Sequence, residues 1–274
     1  MSKRIIRMIA SDVDGTLMRS DRTLSRYTID TIHRAQERGI LFIVCSGRYP
    51  EHADVLMKAH GIRCPIAGNN GCTLWDPETE KVLSDHFLSR EAADKACAAA
   101  EEIKLNYMVF GRKHVAARNA FFLHSSKLLY GDALEKDYHI IFEDGYDAVQ
   151  KVLAAPVNKF YFHYDTPDEK QRLISELRLI PDIEITTSGP ANVEIIPKGC
   201  NKATGITDMA RIHSIPMEEV MALGDYENDE DMLSAAGLGV AMGNASEYLK
   251  NLADAVTDTN DNDGVAKAIE QFAL

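Results

Sequence analysis

No stretch of this chain stays apolar for anything near the ~18 residues that a membrane-crossing helix needs. The run Ile-Leu-Phe-Ile-Val-Cys at residues 40–45 is among the longest. The N-terminus is charged and reaches Asp12 almost at once, so no signal-peptide pattern is seen. An excess of basic residues is also lacking. The formal net charge is −12, which argues against nucleic acid or an anionic membrane as a partner. The five cysteines, Cys45, Cys64, Cys72, Cys97 and Cys200, form no C-x-x-C pair. They read as reduced thiols, and the expected location is cytoplasmic. The nine histidines form no H-E-x-x-H or H-x-H cluster, so no zinc site is expected. Internal repeats and low-complexity segments are absent.

What is present is a globular composition, 45% hydrophobic and 26% charged, over 274 residues, enough for one large or two modest domains. The first 70 residues alternate strand and helix. The pattern predicts strands at 5–12, 40–45 and 65–67, with helices at 25–38 and 50–60 stopped by Gly39 and Gly61. The tail repeats the rhythm, with strands at 193–196, 220–223 and 238–241 and helices near 202–213, 228–236, 246–253 and 264–273. Such alternation implies an α/β fold built on a parallel sheet with right-handed crossovers. Residues 83–189 differ. Short strands at 107–110, 139–143, 159–163 and 184–187 mix with helices at 89–104 and 168–179, and no Gly-rich phosphate loop or catalytic cluster appears. The expected organisation is therefore a Rossmann-like parallel sheet core from 1–82 plus 190–274, with an inserted α+β cap domain at 83–189.

Asp12 and Asp14 stand where the first strand ends and Gly15 begins a turn. Residues two apart on a strand share a face. The two carboxylates therefore converge at a strand's C-terminal edge, where open α/β sheets bind ligands. Charges so close repel, and a proton or a cation must neutralise one. Three further groups follow predicted core strands: Ser46-Gly47-Arg48, Lys202, and Gly224-Asp225-Tyr226-Glu227-Asn228-Asp229. Phosphoryl transfer suits them jointly. A carboxylate nucleophile can carry the phosphoryl group. Mg²⁺ prefers carboxylate and carbonyl oxygens and would neutralise Asp12, Asp225 and the phosphate. Ser46 and Lys202 would supply a hydroxyl donor and a positive charge, and Asp14 would act as acid and base. Each group alone has an ordinary reading. Asp12 and Asp14 could be a solvated pair, Ser46-Gly47 a turn, and Lys202 a helix-end lysine. Asp225 and Asp229 could be acids favoured by a helix N-terminus. Their joint occurrence, in order and at strand ends, favours the chemistry.

Asp12-Val13-Asp14-Gly15-Thr16-Leu17, Ser46-Gly47-Arg48, Lys202 and Gly224-Asp225-x-x-Asn228-Asp229 resemble the four motifs of the haloacid dehalogenase-like hydrolase superfamily. The insert, Asn69-Asn70-Gly71 and the tail Asp261-Asn262-Asp263-Gly264-Val265 look like its Cof-type sugar-phosphatase subfamily, which carries a class IIB cap. The resemblance spans essentially the whole chain. It implies a Mg²⁺-dependent phosphatase acting on a small phosphomonoester, a sugar phosphate or similar metabolite, through an aspartyl-phosphate. In that reading Asp12 is nucleophile and metal ligand, Asp14 is acid/base with its carbonyl on the metal, and Asp225 is the third protein ligand. Asp229 and Thr16 lie behind the ligands, while Val13 N–H, Ser46, Gly47, Lys202 and Asn228 hold phosphate. Asp14 distinguishes the chain from dehalogenases and ion-pump ATPases of the superfamily, which lack that acid. A phosphosugar mutase keeps the same core residues and stays open as an alternative. A phospho-accepting sensor module is disfavoured, because receivers do not place Asp-x-Asp-Gly-Thr on the first strand and lack a large cap.

Softer signals remain. Arg48 either contacts substrate or pairs with a carboxylate. Asn70 is a substrate-contact candidate or an Asn-Gly turn residue. Tyr107, Phe110, Phe121 and Phe122 line the cap's substrate face or fill its core. Cys45 reads as packing rather than nucleophile. Residues 259–270 resemble a Ca²⁺ loop with Asp261, Asp263, Gly264 and Glu270 in register. Position one is Thr259, however, and the preceding 255–257 reads as strand. The segment is expected to cap the last helix.

Overall fold

The computed structural model describes residues 5–120 and 131–274. The chain divides into two compact units, Met1–Ser84 with Asn201–Leu274, and the contiguous Asp85–Cys200.

The first unit holds one eight-stranded sheet. Its strands are β1 (Met8–Ser11), β2 (Leu41–Cys45), β3 (Ile66–Gly68), β4 (Thr73–Asp76) and β5 (Lys81–Asp85) from the first segment, and β12 (Val220–Gly224), β13 (Leu238–Ala241) and β14 (Ala255–Val256) from the second. Their order is β14-β13-β12-β1-β2-β3-β4-β5. The pairs from β14 through to β3 are parallel, and β4 turns back antiparallel on β3. All four residues of β1 are buried, as expected of a central parallel strand covered on both faces. Helices pack by their apolar stripes. Arg26–Glu37 buries Thr28, Thr31, Ile32 and Ala35, and Ser25 caps it by accepting from the Thr28 N–H. Among the described residues no helix is long and apolar enough to cross a membrane.

The second unit carries β6 (Asn106–Gly111), β7 (His114–Ala117), β8 (Ile141–Asp144), β9 (Val157–His163), β10 (Ile183–Thr186) and β11 (Asn192–Pro197), in the order β10-β11-β9-β6-β7-β8. The pairs are antiparallel except β7 with β8. The core contains Ala92, Ala96 and Ala100 of the helix Arg90–Ile103 with Val149, Leu173, Tyr107, Phe160 and Phe162. The alanines let that helix approach closely. Tyr107 belongs here, with ring centroids 6.3 Å from Phe160 and its hydroxyl donating to Glu101 at 2.7 Å. Phe110 is half-buried, with the Lys159 ammonium 4.8 Å from its ring centre. Phe121 and Phe122 lie outside the described residues.

One strand changes allegiance. The expected core strand 193–196 is β11, and it pairs antiparallel with β9 and β10 in the second sheet. The units accordingly divide at Ser84 and Asn201 rather than at the expected 82/83 and 189/190. Apolar content marks residues 193–196 as a buried strand but says nothing about which sheet completes its hydrogen bonds. The sequence pattern does not mark the short strands β4, β5 and β7 or the helices Gly131–Asp137 and Tyr146–Leu153.

Candidate active site

The parallel register builds the site. Ser11, at the end of β1, pairs with Leu223 on one side and Val44 on the other. Asp12, Asp225 and Ser46 therefore leave the sheet at the same edge. Gly15 turns the chain with φ +80, and a Cβ there would run into the Asp225 carboxylate. That backbone conformation and close approach require glycine. Gly224 plays a related part, since a Cβ on it would collide with Asp229. Asp229 can thus fold beneath its own loop, where one carboxylate oxygen accepts the Asp225 and Tyr226 N–H groups at 2.9 and 3.0 Å.

Lys202 lies at the centre. It opens the helix Lys202–Ile212, whose N-cap Asn201 accepts from Thr204 N and donates its own N–H to the Thr204 hydroxyl. It does not follow a core strand, contrary to expectation; the cap aims it inward. Its ammonium donates to Asp12 at 2.7 Å and to Asp229 at 2.6 Å, and the side chain is 1% exposed. Burial alone would strip its proton, but Asp12 and Asp229 reverse this and hold it protonated. Asp12 shifts the opposite way from an ordinary ion-paired carboxylate. Burial raises it well above the usual range, Lys202 opposes, and Asp229, Asp225 and Asp14 push it further up. Asp225 is pushed up to about 6, chiefly by burial, against the lowering effect of the Thr16 hydroxyl, which donates at 2.6 Å.

Asp14 behaves differently. Its side chain is 60% exposed, and Arg48 grips both oxygens at 2.6 and 2.7 Å. Desolvation would raise this carboxyl, but the Arg48 hydrogen bonds and charge outweigh it and hold it low. Arg48 also contacts His52 Nε2 at 3.2 Å, and burial followed by the Arg48 charge depresses His52 to about 3. Asn70 joins the network. Its φ is +56, its N–H donates to the Ser46 carbonyl at 3.0 Å, and its amide oxygen accepts from Asn228 at 3.3 Å. A Cβ on Gly47 would touch that same oxygen. Val13 is buried, and its carbonyl accepts from the Met18 N–H at 2.9 Å, closing the turn. Asp12, Val13, Asp14, Thr16, Ser46, Gly47, Arg48, Asn70, Lys202, Asp225, Asn228 and Asp229 thus lie in this cluster or on a loop bonded to it. Cys45 is buried below, its thiol pushed upward by burial, which disfavours a reactive thiolate.

Single oxygens of Asp12, Asp225 and Asp229 come within 4.8 Å of one another. Three carboxylates face one ammonium, so negative charge is in excess. An all-oxygen donor set of this kind suits a hard divalent cation. Asp229 is the poorest ligand of the three, because Lys202 and two backbone N–H groups already occupy both its oxygens. Asp12 and Asp225 retain the capacity. The acids of the tail loop do not converge. Asp261 accepts from Ser20, Asp263 from Arg19, and Glu270 from Tyr27 and Arg34. Sequence reasoning overlooked Asn244, on the loop after β13, which donates to the Gly15 carbonyl at 2.8 Å. An uncharged residue after a short strand carries no spacing signal.

A family model described as haloacid dehalogenase-like hydrolase matches residues 9–269. The chain belongs to that family. It is 30% identical over 98% of its length, and 96% of the relative's, to the 5-amino-6-(5-phospho-D-ribitylamino)uracil phosphatase YcsE of Bacillus subtilis. It is 28% identical, over 97% of its own length and 98% of the other's, to a phosphoglycolate phosphatase of Methanobrevibacter smithii. A solved subclass IIB sugar phosphatase superposes with a TM-score of 0.79 at 26% identity, covering 97% of this chain and 98% of that one. The chain is accordingly a phosphoric monoester hydrolase of the Cof-type branch.

Proposed function

We propose that this chain is a Mg²⁺-dependent phosphatase that hydrolyses a small phosphomonoester, a sugar phosphate or similar metabolite, through an aspartyl-phosphate on Asp12. The observation that carries the reading is the buried Lys202 ammonium held between Asp12 and Asp229 beside Asp225, with negative charge left over. Asp12, Asp225 and the Asp14 carbonyl would hold Mg²⁺. Bound there, the ion would neutralise the excess charge and polarise the phosphoryl oxygens.

The remaining steps belong to the chain's own residues. Asp12 attacks phosphorus through a carboxylate oxygen, and Lys202 steadies charge on the phosphoryl group. Val13 N–H, Ser46, Gly47 and Asn228 line the phosphate's seat. Asp14 protonates the departing oxygen and afterwards takes a proton from the water that attacks the acyl phosphate. Both Asp14 oxygens are engaged by Arg48, so that pair must open before Asp14 can carry a proton. Arg48 and Asn70 border the leaving-group side, and the second unit, Asp85–Cys200, would select the substrate. Relatives named for a phosphorylated ribitylaminouracil and for phosphoglycolate support a small phosphorylated metabolite. Five buried thiols without a disulfide support a reducing, cytoplasmic setting.

A phosphate-release screen over sugar phosphates, phosphoglycolate, nucleotides and phosphorylated cofactors tests the reading, run with Mg²⁺ and with a chelator. Turnover that vanishes with chelator and returns with Mg²⁺ is expected. Metal-independent release would refute the cofactor assignment. Phosphate moved to a second hydroxyl without release would make the chain a mutase.

A further inference from the structure

Asn244 ties three parts of the site together. Its Nδ2 donates to the Gly15 carbonyl at 2.8 Å and lies 3.4 Å from Asp225 Oδ2. Its Oδ1 accepts the Asn260 N–H at 3.0 Å. The amide orientation is dictated by its partners, since a backbone N–H can only donate and a carbonyl or carboxylate only accept. Asn260 in turn donates from its side chain to the Met18 carbonyl at 2.9 Å. The turn after Asp14 is therefore braced at one end by the loop after β13 and at the other by the segment following β14. Asp225 is held by Thr16 on Oδ1 and approached by Asn244 on Oδ2.

The constraint has a physical purpose. Asp12, Asp225 and Asp229 present oxygens within 4.8 Å of one another. Mutual repulsion drives such groups apart unless donors fix them. Asp229 is fixed by Lys202 and backbone, and Asp12 by Lys202. Asp225 depends instead on two uncharged donors, the Thr16 hydroxyl and the Asn244 amide. Asn244 is itself exposed, so removing its amide leaves no buried void.

We infer that Asn244 is a positioning residue that sets the orientation of the Asp225 carboxylate against the Gly15 turn, and thereby the affinity of the site for a divalent cation. This inference rests on the Mg²⁺-dependent reading above and goes beyond its ligand set. Losing a residue that orients a metal ligand typically weakens binding ~10–100-fold, and for an exposed amide about tenfold is expected.

The test is direct binding of Mn²⁺, as a countable stand-in for Mg²⁺, to the substrate-free full chain by electron paramagnetic resonance. Wild type is compared with Asn244→Ala and with Asn244→Ser. A dissociation constant raised about tenfold in both variants is expected, without loss of the metal-free melting transition. The Mg²⁺ concentration giving half-maximal phosphate release should rise in parallel, while the substrate KM at saturating Mg²⁺ moves far less. Unchanged Mn²⁺ affinity in a folded variant would overturn the inference. A wild-type chain that binds no divalent cation would instead overturn the metal-dependent reading on which it rests.

Discussion

Replacing Lys202 by methionine keeps the volume of the side chain and deletes its charge. The ammonium lies 2.7 Å from Asp12 and 2.6 Å from Asp229 at 1% exposure. At an effective dielectric of ~20, a pair this close attracts by about 6 kcal/mol, and desolvation of the ions removes most of that. Deleting one partner leaves the other charges buried and uncompensated, which costs about 3–5 kcal/mol. For a domain of this size that is a fall of about 6–20 °C in Tm. The pH dependence has a definite sign. Without the cation, Asp12, Asp225 and Asp229 repel, and the folded-state carboxyls of Asp12 and Asp225 rise further above their unfolded values. Stability from such groups is full at low pH and is lost as pH rises through the raised values. Asp225 already stands at about 6 in the wild type. The deficit of Lys202→Met should therefore be larger at pH 8 than at pH 5. Calorimetry in chelator-treated buffer at both pH values, repeated with Mg²⁺, is the assay. Mg²⁺ should raise the variant's Tm at pH 8 more than the wild type's, because it returns positive charge to the cluster. A deficit below about 2 °C at pH 8, or one that grows on acidification, would refute the electrostatic account.

Asp12→Asn should release no phosphate above background while keeping its circular dichroism spectrum; substantial turnover would remove Asp12 as nucleophile. Arg48→Ala frees Asp14 from the partner that holds it low, so the alkaline limb of the pH profile of kcat/KM, set by the proton Asp14 gives the departing oxygen, should move upward at saturating Mg²⁺. An unmoved limb would mean that Arg48 does not govern Asp14. Gly15→Ala forces φ +80 on a residue with a Cβ, at ~1–2 kcal/mol, and drives that Cβ into Asp225. Phosphate release should drop sharply and respond poorly to added Mg²⁺. The tail loop should take up no Ca²⁺, since its acids bond elsewhere; a one-site calorimetric signal lost on Glu270→Gln would contradict this.

Much of the candidate site was legible because it is written locally. Asp12 and Asp14 follow an apolar run and precede glycine, and Asp225 and Asn228 follow another. Parallel strands in register deliver such strand-end residues to one edge without further information. What depended on distant partners was less visible. The strand Asn192–Pro197 looks the same from its composition whichever sheet adopts it. Lys202 was identified, but its placement comes from the Asn201 cap rather than a strand end. Arg48 reads from the sequence as substrate contact or ion pair, and only its distant partner Asp14 shows the ion pair. Asn244 had no charge, spacing or periodicity to mark it, and its importance lies wholly in what it touches.

The order of strands in the first unit bears on how the chain is made. β1 finds β2 within a few dozen residues, but its other neighbour, β12, carries Val220 opposite Met8. At ~5–20 residues per second, the ribosome would need about 10–40 s to deliver that partner. Meanwhile one full edge of β1 stays unpaired, the kind of exposed template that invites wrong pairing. The second unit is contiguous and can close its own sheet during that interval. Asp12 therefore waits for Lys202, Asp225 and Asp229 until nearly the whole polypeptide has emerged, and a truncated product would carry Asp12 without the groups that surround it.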